Sequence, residues 1–297
     1  MDTDSVAVFV AASTVGSLAG ASRQLGLTPM AASRHLAALE RSLGTRLMHR
    51  STRAVTLTAE GEEFLPLART ILDAVGEAAS TLAPAAQGAH GLLRVTTPGA
   101  FGRRILLPVA EQLMQANPAL RVDLQFDDKV TDIAAAGMDL AIRIAPPSAS
   151  DLVAQELAPN PRVLCASPAY LAQAPALHSL KDLDHHACIR LSSMPSWPFL
   201  VDGQERQLRV NGRFGCNSVE GVRAACLRGM GLAMMTHWDV VDETADGRLV
   251  AITLEDAVLP SLSIWALYPS RKYVPQRVRV LMAALKSALA PSLGTAL

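Results

Sequence analysis

A chain of 297 residues is longer than one small core usually needs, so two or more domains are expected. Half of the residues are hydrophobic, which excludes an extended disordered chain, and a formal net charge of zero excludes a uniformly basic nucleic-acid coat. The charge is nevertheless unevenly placed: residues 1–58 hold six arginines (Arg23, Arg34, Arg41, Arg46, Arg50 and Arg53) against Asp2, Asp4 and Glu40, a balance of +3 that leaves −3 for the rest.

The first lysine is Lys129, so every cation in the N-terminal segment is an arginine, whose planar guanidinium pairs bidentately with phosphate or guanine as lysine cannot. The apolar stretch SVAVFVAAS follows Asp2 and Asp4, lacks a basic flank and is too short to span a bilayer; no later run approaches the ~18 apolar residues a span requires. A soluble, cytoplasmic protein without a membrane partner is expected. The four cysteines (Cys165, Cys188, Cys216, Cys226) include no C-x-x-C pair, which predicts reduced, mostly buried thiols.

Along the chain, residues 4–13 read as a short amphipathic helix with Val6, Phe9 and Val10 on its apolar side. Ser17 suits the N-cap of a second helix, LAGASRQL, and Gly26 supplies a turn. Thr28 caps a third, with Pro29 at its first position, where the missing N–H costs nothing. This third helix carries two organised faces. Ala32, Leu36 and Leu39 form a buried-type stripe, whereas Met30, Ser33, Arg34 and Ala37 form an opposite strip of small or polar groups with one cation. Two short helices joined through glycine make a helix-turn-helix pattern. From Arg53 the chain alternates, Val55 and Leu57 one way, Ala54 and Thr56 the other, as the hairpin of a winged helix does.

A longer helix opens after Thr58, with Phe64, Leu67, Ile71, Leu72, Val75, Ala78, Ala79 and Leu82 recurring every three or four positions and Pro66 placed to kink its first part. So long a one-sided helix needs a partner, and a second copy of the chain is preferred here to folding back on the C-terminal domain. APAAQGAHG then breaks the helix as a hinge.

From residue 92 strands alternate with helices: LLRVTTP, GRRILLPVAEQLMQA, LRVDLQF, VTDIAAAG and MDLAIRI, then RVLCASP, PAYLAQ, a hairpin-like RQLRVNGRFGCN, SVEGVRAACLRG and a last amphipathic helix PQRVRVLMAALKSAL. That order predicts parallel α/β architecture.

With these elements in place, the sequence resembles the LysR-type transcriptional regulators of bacteria over essentially its whole length. The most specific part is GSLAGASRQLGLTPMAASRHLAALERSLGTRLMHRSTRAVTLTAEGEEF; LLRVTTPGAFGRRILLP, GMDLAIR, ASPAYL and VRAACLRGMGLAMM add to it in order. The resemblance implies an N-terminal winged helix-turn-helix (1–58), a linker and dimerisation helix with hinge (59–88), and an α/β effector domain (89–297). That domain would be two-lobed, of periplasmic-binding-protein type II, with lobe I at about 89–160 plus 266–297 and lobe II at about 161–265. Function would then be transcription regulation, with double-stranded DNA, a small aromatic or carboxylated effector and a second copy of the chain as partners. A homodimer is implied, with a dimer of dimers as the larger assembly left open.

The expected DNA-binding residues are Thr28, Pro29, Met30, Ser33, Arg34, Arg50 and Arg53, with small side chains letting the helix backbone approach the major groove. The family often has Gln-Pro where this chain has Pro29-Met30, so no adenine contact from that glutamine is expected. For the cleft the candidates are Thr97, Pro98, Asp128, Arg143, Trp197, Asn217 and Ser218. Each also has a plain structural reading: Thr97 and Ser218 as helix caps, Arg143 in a salt bridge, Trp197 in the core.

No enzyme, metal or cofactor is expected, because G-x-S-x-G, H-E-x-x-H and Walker patterns are missing and the adjacent histidines of HHAC point apart on any regular element. The rival readings are a redox-sensing regulator using Cys216 and Cys226, and a solute-binding protein, which leaves the arginine-bearing N-terminal segment unexplained.

Overall fold

In the computed structural model, residues 1–50, 55–82, 88–127, 133, 136–144, 152–269 and 274–290 are described, with the side chains of 50, 77 and 79–82 left aside. Helix α1 (Thr3–Val15) starts at Asp2, whose carboxylate accepts the N–H groups of Asp4 and Ser5, and stops at left-handed Gly16. Helix α2 (Leu18–Gln24) is capped by Ser17 and α3 (Pro29–Leu43) by Thr28, as their sequences predict. Strands β1 (Met48–Arg50) and β2 (Val55–Leu57) pair antiparallel to form the wing. The head has its own core, built from Val6, Phe9, Ala21, Ala32, Leu36, Leu39 and Leu47.

Helix α4 (Ala59–Leu82) continues through Pro66. It is pressed on the wing at its start: Thr58 donates its N–H to the Leu47 carbonyl, and a Cβ on Gly61 would run into that same oxygen. The predicted apolar stripe divides. Phe64, Leu65, Ala68 and Leu72 pack on the head, the Phe64 ring 5.6 Å from that of Phe9, whereas Leu67 and Val75 are 60% and 46% exposed. Further along, Asp73 accepts from Arg277 of the C-terminal domain at 2.6 Å, so the helix contacts both neighbours in the chain.

Lobe I is a five-stranded sheet of β3 (Gly91–Thr97), β4 (Leu120–Phe126), β5 (Leu140–Ile144), β6 (Val153–Asn160) and β14 (Leu262–Tyr268), in the order β4-β3-β5-β14-β6. After β3 the chain runs through α5 (Gly99–Phe101), a π-helical turn (Gly102–Leu106) and α6 (Leu107–Ala116). The closing helix α10 (Gln276–Leu289) buries Val278, Leu281, Met282 and Leu285 against the sheet.

Lobe II holds β7 (Arg162–Ala166), α7 (Pro168–Leu171), β8 (Cys188–Leu191), β9 (Ser196–Val201), β10 (Gln204–Arg209), β11 (Gly215–Cys216), α8 (Val219–Leu227), β12 (Leu232–Thr236), α9 (His237–Ala245) and β13 (Val250–Ile252). Its main sheet is ordered β11-β8-β12-β7-β13.

Three expectations need correction. The sheets are mixed: β3, β4 and β5 run parallel, as do β8, β11 and β12, but β14 and β6 in one lobe and β7 and β13 in the other are antiparallel to their neighbours. The hairpin around 206–217 is two unrelated pieces, because β10 pairs with β9 through an Asp202-Gly203 turn while β11 joins β8 in the main sheet. Strand β14 spans the expected lobe junction at 265/266, so the crossing back to lobe I falls before Leu262. The first crossing follows Asn160, which is fully buried and bonded to the Thr236 hydroxyl (3.0 Å) and the Trp238 N–H (3.2 Å).

Candidate functional site

Two surfaces stand out. On α3, Ala32, Leu36 and Leu39 are at most 1% exposed, whereas Met30 is 83% exposed and Arg34, Pro29 and Thr28 are also exposed; Ser33 and Ala37 are half-buried. The Thr28 hydroxyl accepts the Ala31 N–H at 3.2 Å. His35 tethers the helix from the side, its Nδ1 3.1 Å from the Ser5 hydroxyl and 3.6 Å from the Asp2 carboxylate. The geometry therefore gathers Thr28, Pro29, Met30, Ser33 and Arg34 on one end and side of a rigidly held helix, with Arg50 ending β1 of the wing. Arg53 lies outside the described residues.

The second surface is the cleft between the lobes, about 510 Å³, within the range of small-molecule sites. Of the predicted residues, Pro98, Arg143 and Asn217 line it. Ser218 caps α8 through the Gly221 N–H at 3.4 Å, and Thr97 is wholly buried beside Pro98 with its hydroxyl unpartnered. Trp197 is a correction: fully buried on β9, where Trp197, Pro198 and Phe199 are buried in succession, it packs in the lobe II core with Phe199 and Leu164 rather than facing the cleft. Asp128 lies outside the described residues. Sequence reasoning missed the apolar body of the cleft, Phe101, Met194, Met234, Met235 and Trp265, and two ionisable groups, Arg162 and Asp239. Two of the methionines belong to the GMGLAMM segment, but nothing local marks which face of β12 meets the cleft.

Among the described residues the ionisable groups lining the cleft are Arg143, Arg162 and Asp239. Arg143, only 8% exposed, donates to the Ile142 carbonyl (2.8 Å) and the Thr96 hydroxyl (3.3 Å). Arg162 donates to the Pro260 carbonyl at 2.7 Å, and burial lowers its pKa without threatening its charge. Burial pushes the Asp239 carboxyl up, against the lowering effect of the Thr236 hydroxyl and N–H that it accepts. Two guanidiniums and one buried carboxyl are thus set into the wall of an otherwise mainly apolar cleft.

Beside the cleft an ionic cluster ties the lobes. From the π-helical turn, Arg104 donates to the Asp239 carbonyl (2.8 Å), to Glu243 (3.0 Å) and to Asp242 (2.5 Å), and Arg103 pairs with Glu220. Glu243, whose side chain is 5% exposed, also receives Arg223 at 2.8 Å. Among the described residues no group of three or more His, Cys, Asp or Glu is arranged to hold a metal, and no single helix is long and apolar enough to cross a membrane.

The cysteines give no support to the redox alternative. All four are free, and Cys226 is fully buried and bonded to the carbonyls of Cys165 and Gly231. The Cys226 thiol and burial push Cys165 well up, and burial pushes Cys188 up to about 12, so both stay protonated, the less nucleophilic form.

Comparison with known proteins matches two families: "Bacterial regulatory helix-turn-helix protein, lysR family" over residues 3–62 and "LysR substrate binding domain" over residues 86–290. The chain is 34% identical over 283 residues to the HTH-type transcriptional regulator DmlR of Escherichia coli K12, covering 94% of this chain and 92% of that one. It is 32% identical over 270 residues to the HTH-type transcriptional activator TtdR of the same strain, covering 89% and 86%. Among solved structures, CrgA from Neisseria meningitidis, a LysR-type transcriptional regulator, superposes with a TM-score of 0.63 at 28% identity over 98% of this chain and 99% of that one. The full-length Vibrio cholerae virulence activator AphB gives 0.60 at 25% identity over 97% and 99%. A helix-turn-helix head with an outward strip, a linker helix and a two-lobed domain with a cleft thus join both matches in one chain, which belongs to the LysR family of DNA-binding transcriptional regulators.

Proposed function

We propose that the protein acts in the cytoplasm by binding rather than catalysis, as a homodimer that sets one α3 helix into each of two major grooves about one helical turn (~34 Å) apart. Met30, Ser33 and Arg34 meet base edges and nearby phosphate, Thr28 and Pro29 bring the positive helix start to phosphate, and Arg50 and Arg53 engage backbone or minor groove at the wing. One domain carries few cations and binds weakly alone; two copies add their energies and double the counterions released. The exposed Leu67 and Val75 on α4 support pairing of two such chains.

The effector we infer is a small molecule with an apolar body and a carboxylate, held in the cleft by Arg143, Pro98 and Asn217. Arg143 and Arg162 in the cleft wall support the carboxylate, and the methionines and Trp265 support the apolar body. Its binding shifts the lobes and so the spacing of the two heads, for which ~1–3 kcal/mol of coupling suffices.

The observation that carries the DNA reading is the contrast across α3, with one face at most 1% exposed and Met30 on the other at 83%. The test is a fluorescence-anisotropy titration against a duplex from the region upstream of its own gene, with and without each of a panel of aromatic and aliphatic carboxylates. Arg34→Ala combined with Arg53→Ala is expected to lose more than about 100-fold in affinity. Undiminished binding by that variant overturns the DNA face, and a panel without any effect on the wild-type curve overturns the carboxylate.

A further inference from the structure

Helix α4 and lobe I hold each other by one side chain from each. Arg69 and Asp73 stand one turn apart on the same side of the helix. The Arg69 guanidinium reaches left-handed Gly137, in the turn before β5, where a Cβ would collide with it. In return Arg277 of α10 reaches out to the helix. Its Nη2 donates to the Asp73 carboxylate at 2.6 Å and to the Asp139 carboxylate at 3.0 Å. These three side chains are mostly buried, at 11% exposure for Arg277, 22% for Asp73 and 16% for Asp139. A cation in the first turn of a helix opposes the dipole, so α10 alone gives no reason for Arg277; the two carboxylates do.

Asp139 carries the contact inward. Its second oxygen accepts the Arg94 N–H at 2.8 Å, and its own N–H donates to the Arg94 carbonyl at 2.9 Å. Arg94 lies on β3, and Asp139 immediately precedes β5. Four residues beyond Arg94 is Pro98, and four beyond Asp139 is Arg143; both line the cleft. Bonded groups followed by ~13 Å of strand thus join the linker helix to the cleft wall. The fit around this contact is open. Hollows of about 180 and 100 Å³ border Asp73, one reaching Gly76 and His90, the other Pro66 and Tyr268. Among the described residues, the apolar side chains of α4 that join a core belong to that of the head, and none to that of lobe I. Charge pins the helix to lobe I where packing does not.

We propose that Asp73, Arg277 and Asp139, with Arg69 seated on Gly137, form the joint through which the DNA-binding head and the cleft act on each other. This deepens the regulatory reading above and rests on its DNA face. A duplex that fixes the heads fixes α4, and the joint then holds β3 and β5 more firmly. By reciprocity, whatever moves those strands from the cleft side moves α4.

Hydrogen exchange of the full-length chain, read by mass spectrometry with and without the upstream duplex, tests this without an effector. The reporters are the Arg94 and Asp139 N–H groups, in peptides covering 91–97 and 138–144. In wild type the duplex is expected to slow their exchange about fivefold or more. Asp73→Ala removes the linker's acceptor and leaves the Arg277–Asp139 pair whole. Combined with Arg69→Ala, it is expected still to bind the duplex, with exchange in both peptides slowing by less than about twofold. A purely structural contact would lower Tm and speed exchange in the free protein, yet leave the slowing by duplex at its wild-type factor. If the double variant does not fold, Asp73→Ala decides alone, with at most about half of the wild-type slowing expected. Wild-type slowing in the variant, or none in a wild-type chain that has bound the duplex, overturns the joint while leaving the DNA face standing. A wild-type chain that ignores the duplex overturns both.

Discussion

His237 shows how one buried nitrogen makes a hinge sensitive to acid. It is the first residue of α9, donates its N–H to the Pro161 carbonyl at 2.8 Å beside the first lobe crossing, and sets its ring edge-on to Trp238 at 5.5 Å. Its Nε2 is buried without a partner, and burial lowers its pKa from 6.5. A histidine with a depressed folded pKa binds fewer protons folded than unfolded, so its stabilisation is whole above 6.5 and is lost as pH falls through and below that value. Thermal denaturation across pH 5–8 is expected to show Tm falling on the acid side in wild type and falling less in His237→Phe, which keeps a ring against Trp238; parallel curves would count against it. Legibility at this scale follows locality. Ser17, Thr28, Ser167 and Ser218 were readable as caps because a cap bonds within three residues of itself. Trp197 was not, since whether a strand tryptophan faces cleft or core is decided by what packs against its strand.

Between elements, Arg104 joins the π-helical turn of lobe I to α9 of lobe II through three partners. Its side chain is 16% exposed and its partner Glu243 5%, so removing it strands part of a buried carboxylate, though Arg223 remains to pair with that group. Arg104→Ala is expected to destabilise the C-terminal domain by ~1–3 kcal/mol, and Arg104→Ala with Glu243→Gln by less than the sum of the two single changes. Urea denaturation of the four proteins checks this; simple additivity would mean that the pair does not interact. Helices of this chain were legible because caps, proline and 3.6-residue periodicity are written locally. Strand partners were not: β10 alternates poorly and pairs backward with β9, and β11 is only two residues long, so neither register nor sheet could be read from pattern. The π-helical turn carries no sequence signature either, and it is what brings Arg103 and Arg104 to the other lobe.

At the scale of the whole molecule, the order of head, linker helix and two-lobed domain was legible because motif spacing survives where individual contacts do not. The lobe boundary was less so, since the returning strand β14 looks in sequence like any other. The linker carries the assembly prediction. Leu67 and Val75 are eight residues apart, on one side of α4 and exposed in the single chain. Leu67→Glu with Val75→Glu is expected to convert the proposed dimer to monomer in light scattering and to weaken operator binding by about 100-fold, whereas a dimer that survives both charges would overturn pairing through this face of α4.

The junction between wing and linker has a mechanical consequence. With the Leu47 carbonyl filling the space a Cβ on Gly61 would need, and Asp73 bound to Arg277 twelve residues on, α4 is held against the wing near its start and against the C-terminal domain near its middle. The twelve residues between those contacts span ~18 Å, so ~10° of tilt moves one contact by ~3 Å relative to the other, close to the rise of one base pair. A tilt of that size in the linker would shift a reading head by about one step of the duplex.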